Sequence, residues 1–140
     1  MFSDKEIHDL VGIPFVDHGR TTNGFDCWGL VMHIYQSKGI DIPEYGVSAG
    51  KHGSVAVGDV VEREQKSWIP KKPNELNPLD IMTFRIDPDA PEFTTHIGTY
   101  VGGGLFLHCL RKTGVILSRR DDLYWRTRIS GCYSWPTAHE

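Results

Sequence analysis

The chain has 140 residues, 39% of them hydrophobic, and a net charge of −3. That is enough for one packed domain over residues 1–140 and too little for two. The basic residues are dispersed, adjacent only at Lys71-Lys72 and Arg119-Arg120, which excludes a nucleic-acid footprint. Cys27, Cys109 and Cys132 form no disulfide framework, and no apolar run approaches the ~18 residues of a membrane span. The start, Met1-Phe2-Ser3-Asp4-Lys5-Glu6, has neither the basic nor the apolar region of a Sec signal, so cytoplasmic synthesis is expected.

Ser3 followed by Glu6 is a capping box and predicts a short helix over residues 4–11, stopped by Gly12. Residues 13–25, with Pro14, Gly19, Asn23 and Gly24, read as an irregular loop. A second helix starts at Asp26, with Leu30, Val31, Ile34 and Tyr35 at helical spacing, and ends at Gly39. Residues 40–53 are loop. A weaker helical pattern runs from Ser54 through Val57, Val60, Val61 and Glu64 to Trp68, and the prolines at 70, 73 and 78 make the next stretch extended. Strands follow at 81–86, 96–101, 105–111 and 115–119, joined by Gly102-Gly103-Gly104 and Lys112-Thr113-Gly114, with a last one at 130–135. Helices first and an antiparallel meander second is an α+β chain, with N-terminal helices packed on an antiparallel β-sheet.

The chemistry centres on Cys27. It sits in Gly24-Phe25-Asp26-Cys27-Trp28-Gly29-Leu30-Val31, where a Gly/Asp loop becomes a helix. A thiol in a first helical turn meets unpaired N–H groups and the positive end of the dipole, which favour a thiolate and can receive an oxyanion. The competing reading is a buried structural cysteine. Asp26 fits the helix N-cap; Trp28 and Gly29 are structural, Trp28 as a wall of the cleft and Gly29 as a close-approach position between helix and sheet. His96 and His108 have the same parity, so they share a sheet face only if their hairpin loop is odd or carries a bulge. A three-residue loop at 101–103 sets them directly opposite, and one at 102–104 sets them diagonal. That face also holds Gly98, Tyr100, Phe106 and Leu110 and is expected to pack on the helix of Cys27, with Cys109 pointing away. A zinc site on Cys27, His96 and His108 is the alternative, though no paired metal-ligand spacing is present; no metal and no cofactor is expected. His8, His33, His52 and His139 read as solvated, and His18 as a residue near the cleft.

Three segments, Gly12-Ile13-Pro14-Phe15, Gly19-Arg20 and the Cys27 block, together resemble the NlpC/P60 cysteine peptidases. So do Asn77-Pro78-Leu79-Asp80-Ile81 and the run from His96 to His108. The resemblance spans about residues 10–38 and 76–120. It implies a papain-like fold, with Cys27 as nucleophile, His96 as general base and His108 as third polar residue. The implied reaction is cleavage of cell-wall stem peptides at a γ-D-glutamyl–diamino-acid bond. Many members carry a tyrosine twelve residues before the nucleophile, near the oxyanion; here that position is Phe15, which has no donor. With Phe15, Asp26 and Trp28 are the oxyanion and cleft residues. The Asp-Cys-Trp-Gly-Leu form with a preceding Gly-Arg is similar to that of phage and prophage tail proteins. This implies other tail proteins as partners, with no membrane, and a virion tail acting at the cell wall. The alternatives are an inactive tail-assembly subunit and a thiol amidase or acyltransferase with another substrate.

Overall fold

A computed structural model describes residues 2–43, 64 and 67–136. Helix α1 (Asp4–Leu10) begins at the Ser3–Glu6 capping box, and Gly12, at φ 96°, follows its end. Within the segment expected to be irregular, β1 (Arg20–Thr21) and β2 (Gly24–Phe25) form a small antiparallel sheet, and Phe15 bridges Phe25 in parallel. Helix α2 (Cys27–Ser37) follows, capped by Asp26, whose side chain accepts from the Gly29 N–H. Of the helix expected over 54–68, only Glu64, Ser67 and Trp68 fall within the described residues; His52 and His139 lie outside them.

The main sheet holds β3 (Ile69–Lys71), β4 (Ile81–Phe84), β5 (His96–Gly102), β6 (Leu105–Leu110), β7 (Gly114–Arg119) and β8 (Ile129–Ser134). Its order is β3-β8-β4-β5-β6-β7, all antiparallel. This is more than a meander, because the last strand inserts between the first two. Pro70 is tolerated because β3 is an edge strand. A four-residue helix, α3 (Leu123–Arg126), capped by Asp122, leads into β8 and was not foreseen.

Both sheet faces are covered. Helix α2 lays Leu30, Val31, Ile34 and Tyr35 on Ile97, Val101, Leu107, Cys109 and Val115. The other face gathers Met82, Phe84, Tyr100, Phe106, Cys132 and the α3 residue Trp125. Burial of the polar turn before β4 is balanced by pairing: Asp80 takes Lys71 Nζ at 2.8 Å and the Asn77 N–H at 2.7 Å.

The close approach at Gly29 is real, but its partner is Gly19, just ahead of β1, rather than the main sheet. A Cβ there would stand 1.9 Å from the Gly19 carbonyl oxygen. Gly29→Ala is therefore expected to destabilise by about 3 kcal/mol or more, the upper end of overpacking costs. This holds despite the ~1 kcal/mol that alanine gains in helix propensity. Urea unfolding measures it; a neutral or stabilising result would show that α2 can move off the Gly19 segment freely.

Candidate active site

Cys27 is the first residue of α2, and its side chain is fully buried. The backbone N–H groups of Ile97 and Trp28 hydrogen-bond toward the sulfur and favour the thiolate. They are outweighed. Burial first, and then the neighbouring Asp26 carboxylate, push the thiol well above its ordinary value of 9.0. Burial thus works against the thiolate that the helix-start position favours. The dipole is the weaker effect when a sulfur is sealed from water.

His96 opens β5, and His108 lies on β6. Their register pairs Gly98 with His108, which sets the imidazoles diagonal on one face. The hairpin meets the parity condition through a bulge. The last pair is Gly102–Leu105, the register shifts between Tyr100 and Gly102, and the turn is Gly103-Gly104, both at positive φ. A two-residue turn of that hand matches strand twist and favours glycine. His96 Nε2 lies 2.8 Å from His108 Nδ1.

The face they share is not the one α2 covers. Cys109 points to the α2 side, donating to the Phe25 carbonyl at 3.2 Å, while the imidazoles sit among Phe84, Phe106 and Trp125. Trp125 stands edge-on to His108 at 4.7 Å between ring centroids. The expectation that this face packs on α2 is corrected: both faces are apolar, so alternation alone could not say which one the helix takes. Cys27 still meets the start of β5. Its sulfur meets the Ile97 amide, one peptide unit from the His96 Cα, because both residues begin their elements at the same end of the α2–β5 contact.

Burial drives the His96 pKa down from 6.5 to about 3, and burial together with the neighbouring His96 drives His108 down further. Half-buried His33, 5.0 Å from the Phe25 ring and not solvated as expected, is also shifted down by burial. The unfolded chain therefore binds protons near pH 6.5 that the folded chain refuses until well below. Stability present above pH 6.5 should be lost as pH falls through 6.5 toward 5, with a limit of about 1.4 kcal/mol per pH unit for each histidine. Above pH 9 the unfolded thiols ionise while the buried ones do not, so stability should fall again. A melting temperature that is flat from pH 6.5 to 5 would contradict the buried neutral imidazoles.

The other named residues resolve as follows. Asp26 is the N-cap: Oδ1 accepts from Gly29 N–H and from Arg20 Nη1, each at 2.7 Å, and the carboxylate is fully buried. Trp28 lies in the core, its indole N–H donating to the Pro43 carbonyl at 3.1 Å, and so is less a cleft wall than a strut. Phe15 is half-buried with the Arg111 guanidinium 5.0 Å over its ring. His18 is exposed, at φ 59°. Among the described residues no three His, Cys, Asp or Glu side chains gather as a metal set. Sequence reasoning missed Trp125 and Ser118. The Asp122 cap before Leu123-Tyr124-Trp125 was a readable signal for the first; the second is visible only once β7 is in register.

A helix that begins with the cysteine and packs on one face of an antiparallel sheet, with the imidazoles on that sheet, defines the papain-like α+β class. Within it the chain belongs to the NlpC/P60 family, whose pattern matches residues 12–133. It is 30% identical over 129 residues to a gamma-DL-glutamyl hydrolase of Bacillus subtilis, covering 91% of this chain and 27% of that one. It is 26% identical to the Escherichia coli murein DD-endopeptidase MepS/murein LD-carboxypeptidase, covering 87% of this chain and 55% of the relative. The chain thus spans about a quarter to a half of these relatives. The NlpC/P60 domain of peptidoglycan hydrolase SagA superposes with a TM-score of 0.57 at 23% identity, covering 93% of each chain. A Bacillus cereus family protein superposes at 0.67 and 21% identity, covering 94% of this chain and 38% of that one. The fold is the family's.

Proposed function

We propose that this protein is a cysteine endopeptidase that cleaves peptidoglycan stem peptides at a γ-D-glutamyl–diamino-acid bond. The observation that carries the reading is the placement of the Cys27 sulfur at the amide of Ile97, the residue after His96, together with the 2.8 Å tie between His96 Nε2 and His108 Nδ1. The relatives named as a glutamyl hydrolase and a murein endopeptidase support the substrate class. With Nε2 engaged, His96 has Nδ1 left to take a proton. It removes the Cys27 proton as the sulfur attacks the scissile carbonyl, rather than holding a preformed thiolate. The oxygen of the tetrahedral intermediate gains negative charge and is met by N–H groups of the α2 first turn. Collapse breaks the C–N bond, and His96 returns the proton to the leaving amine. Water, deprotonated by the same nitrogen, then clears the thioester and restores the thiol. Because Cys27 is buried, its site must open before substrate enters.

Mass spectrometry of purified peptidoglycan after incubation with wild type and Cys27→Ala tests this. New stem-peptide fragments from wild type alone support it, and their masses name the bond; identical digests overturn it. The Gly-Arg and Asp-Cys-Trp-Gly-Leu form supports a further placement, in a phage or prophage tail, with other tail proteins as partners and the host wall as target. Finding no peptides of this chain in purified tail particles would remove that placement.

A second reading, a tail subunit without useful activity, is favoured by the burial of Cys27 and by Phe15. If a hydroxyl at position 15 helps hold the oxyanion, Phe15→Tyr should raise turnover by up to ~10²–10³-fold, the value of one donor. The ring is half-buried and its neighbour is a guanidinium, so the added oxygen should cost little stability. Unchanged melting with faster turnover supports the peptidase; no turnover in either protein supports the subunit.

A further inference from the structure

We infer that Ser118 is a positioning residue that sets the direction of the proton chain through the two imidazoles. The inference rests on the general-base reading of His96. His96 Nε2 meets His108 Nδ1 at 2.8 Å, and His108 Nε2 meets Ser118 Oγ at 2.7 Å. On β7, Ser118 pairs with Phe106, two positions from the His108–Ile116 pair, so it shares the face of the imidazoles. The three side chains form one line of polar atoms inside a box of aromatic rings.

Such a line has two self-consistent proton arrangements. In the first, His96 Nε2–H donates to His108 Nδ1, and His108 Nε2–H donates to Ser118 Oγ. His96 Nδ1 then carries a lone pair and can accept the thiol proton. In the second, the serine hydroxyl donates to His108 Nε2, His108 Nδ1–H donates to His96 Nε2, and the His96 proton sits on Nδ1. No base is left. Only the first arrangement supports attack by Cys27, and it requires an acceptor at His108 Nε2.

Ser118 supplies that acceptor. His108 is fully buried, with Phe106 and Trp125 4.5 Å and 4.7 Å from it between ring centroids, and Ser118 Oγ is the side-chain partner at its Nε2 among the described residues. Ser118 itself is half-buried, so its own hydroxyl proton can turn to solvent while its lone pair faces the ring. Without the hydroxyl, a buried Nε2–H would stand unpaired. The pair would then shift toward the second arrangement, whose exposed cost is only a bare nitrogen.

The test is ¹⁵N NMR of the imidazoles at pH 7 in wild type, Ser118→Ala and Ser118→Thr, together with kcat and KM on stem peptides. In wild type, His96 should show a bare Nδ1 and a protonated Nε2, and His108 the same. Ser118→Ala should move both rings toward protonated Nδ1. It should lower kcat roughly tenfold, the rate equivalent of one hydrogen bond, with KM changed by less than about twofold. It should also alter the pH profile. Ser118→Thr, which keeps a hydroxyl, should restore the tautomers and the rate. Wild-type rings protonated on Nδ1, or tautomers and kcat unmoved in Ser118→Ala, would overturn the assignment. If Ser118→Ala fails to fold, wild type and Ser118→Thr still decide by their tautomers. NMR reads the proton direction whether or not peptidoglycan is cleaved, so failure of the peptidase reading is seen separately, in the Cys27→Ala comparison.

Discussion

His96→Gln is expected to lower stem-peptide cleavage about a million-fold, and His108→Ala about ten-thousand-fold. These are the scales seen when the base, or the group orienting it, is removed from a nucleophile–base–orienter set. The ranking matters more than either value. The Cys27 sulfur meets the amide of Ile97, the residue after His96, whereas His108 is one further step away, through a 2.8 Å hydrogen bond to His96. A base moves a proton, so its loss removes the reaction path. An orienter biases a tautomer, so its loss leaves a minority of competent molecules. Both variants must be shown to fold, because both rings are buried among Phe84, Phe106 and Trp125. Equal losses would make the two histidines a single unit. A larger loss at His108 would reverse their roles. A second expectation follows from double replacement: the pair should cost little more than His96→Gln alone, because orienting an absent base has no value.

Arg20→Ala should be the most destabilising single change near the site, at about 3–5 kcal/mol, or roughly 10–20 °C in melting temperature. Asp26 is fully buried, and its Oδ1 carries two charge-relevant contacts, the Arg20 Nη1 and the Gly29 N–H. Oδ2 has no partner among the described residues. Removing the guanidinium leaves a carboxylate sealed from water with only the helix N-terminus to offset it. The same Arg20 nitrogen donates to the Gly19 carbonyl at 2.8 Å, so the change also loosens the segment against which Gly29 packs. Arg20→Ala combined with Asp26→Asn should recover part of the loss. Asparagine still caps the helix, and no buried charge remains. Chemical denaturation of the four proteins of this cycle gives the coupling. A loss below about 1 kcal/mol in Arg20→Ala would show the pair behaving like an exposed one. The cycle also explains the Gly19-Arg20 pair ahead of Asp26-Cys27: glycine for the approach of α2, arginine for its cap.

Where a single local interaction decides, the sequence was readable. Ser3 and Glu6 close a capping box within four residues, and Asp26 caps α2 at Gly29, so both helix starts were legible. Parity put His96 and His108 on one face, either opposed or diagonal, and the bulge with its tight glycine turn makes them diagonal. Whatever depends on distant partners was not readable. Strands β1 and β2 have two residues each, too short for any period. Which sheet face α2 covers could not be decided, because Ile97, Val101 and Leu107 on one side are matched by Tyr100 and Phe106 on the other. The burial that opposes the Cys27 thiolate was not readable for a related reason. Helix position is written in the sequence, whereas burial is a sum over β5, β6 and α2.

The insertion of β8 between β3 and β4 bears on how the chain is made. On the ribosome, the hairpins β5–β6 and β6–β7 can close as soon as they emerge, since their partners are near in sequence. The imidazole pair and Ser118 are thus aligned early. Strand β4 can pair with β5 early, but its other edge and the whole of β3 wait for residues 129–134, and Ile69 meets its partner only at Ser134. Until then both expose unpaired edges, and pairing at such separation is slow. Trp125 and Ile129 arrive in the same late stretch. A nascent chain therefore carries its histidines in place but lacks the apolar cover that holds them neutral, and the finished protonation state of the site is set only when synthesis has passed residue 134.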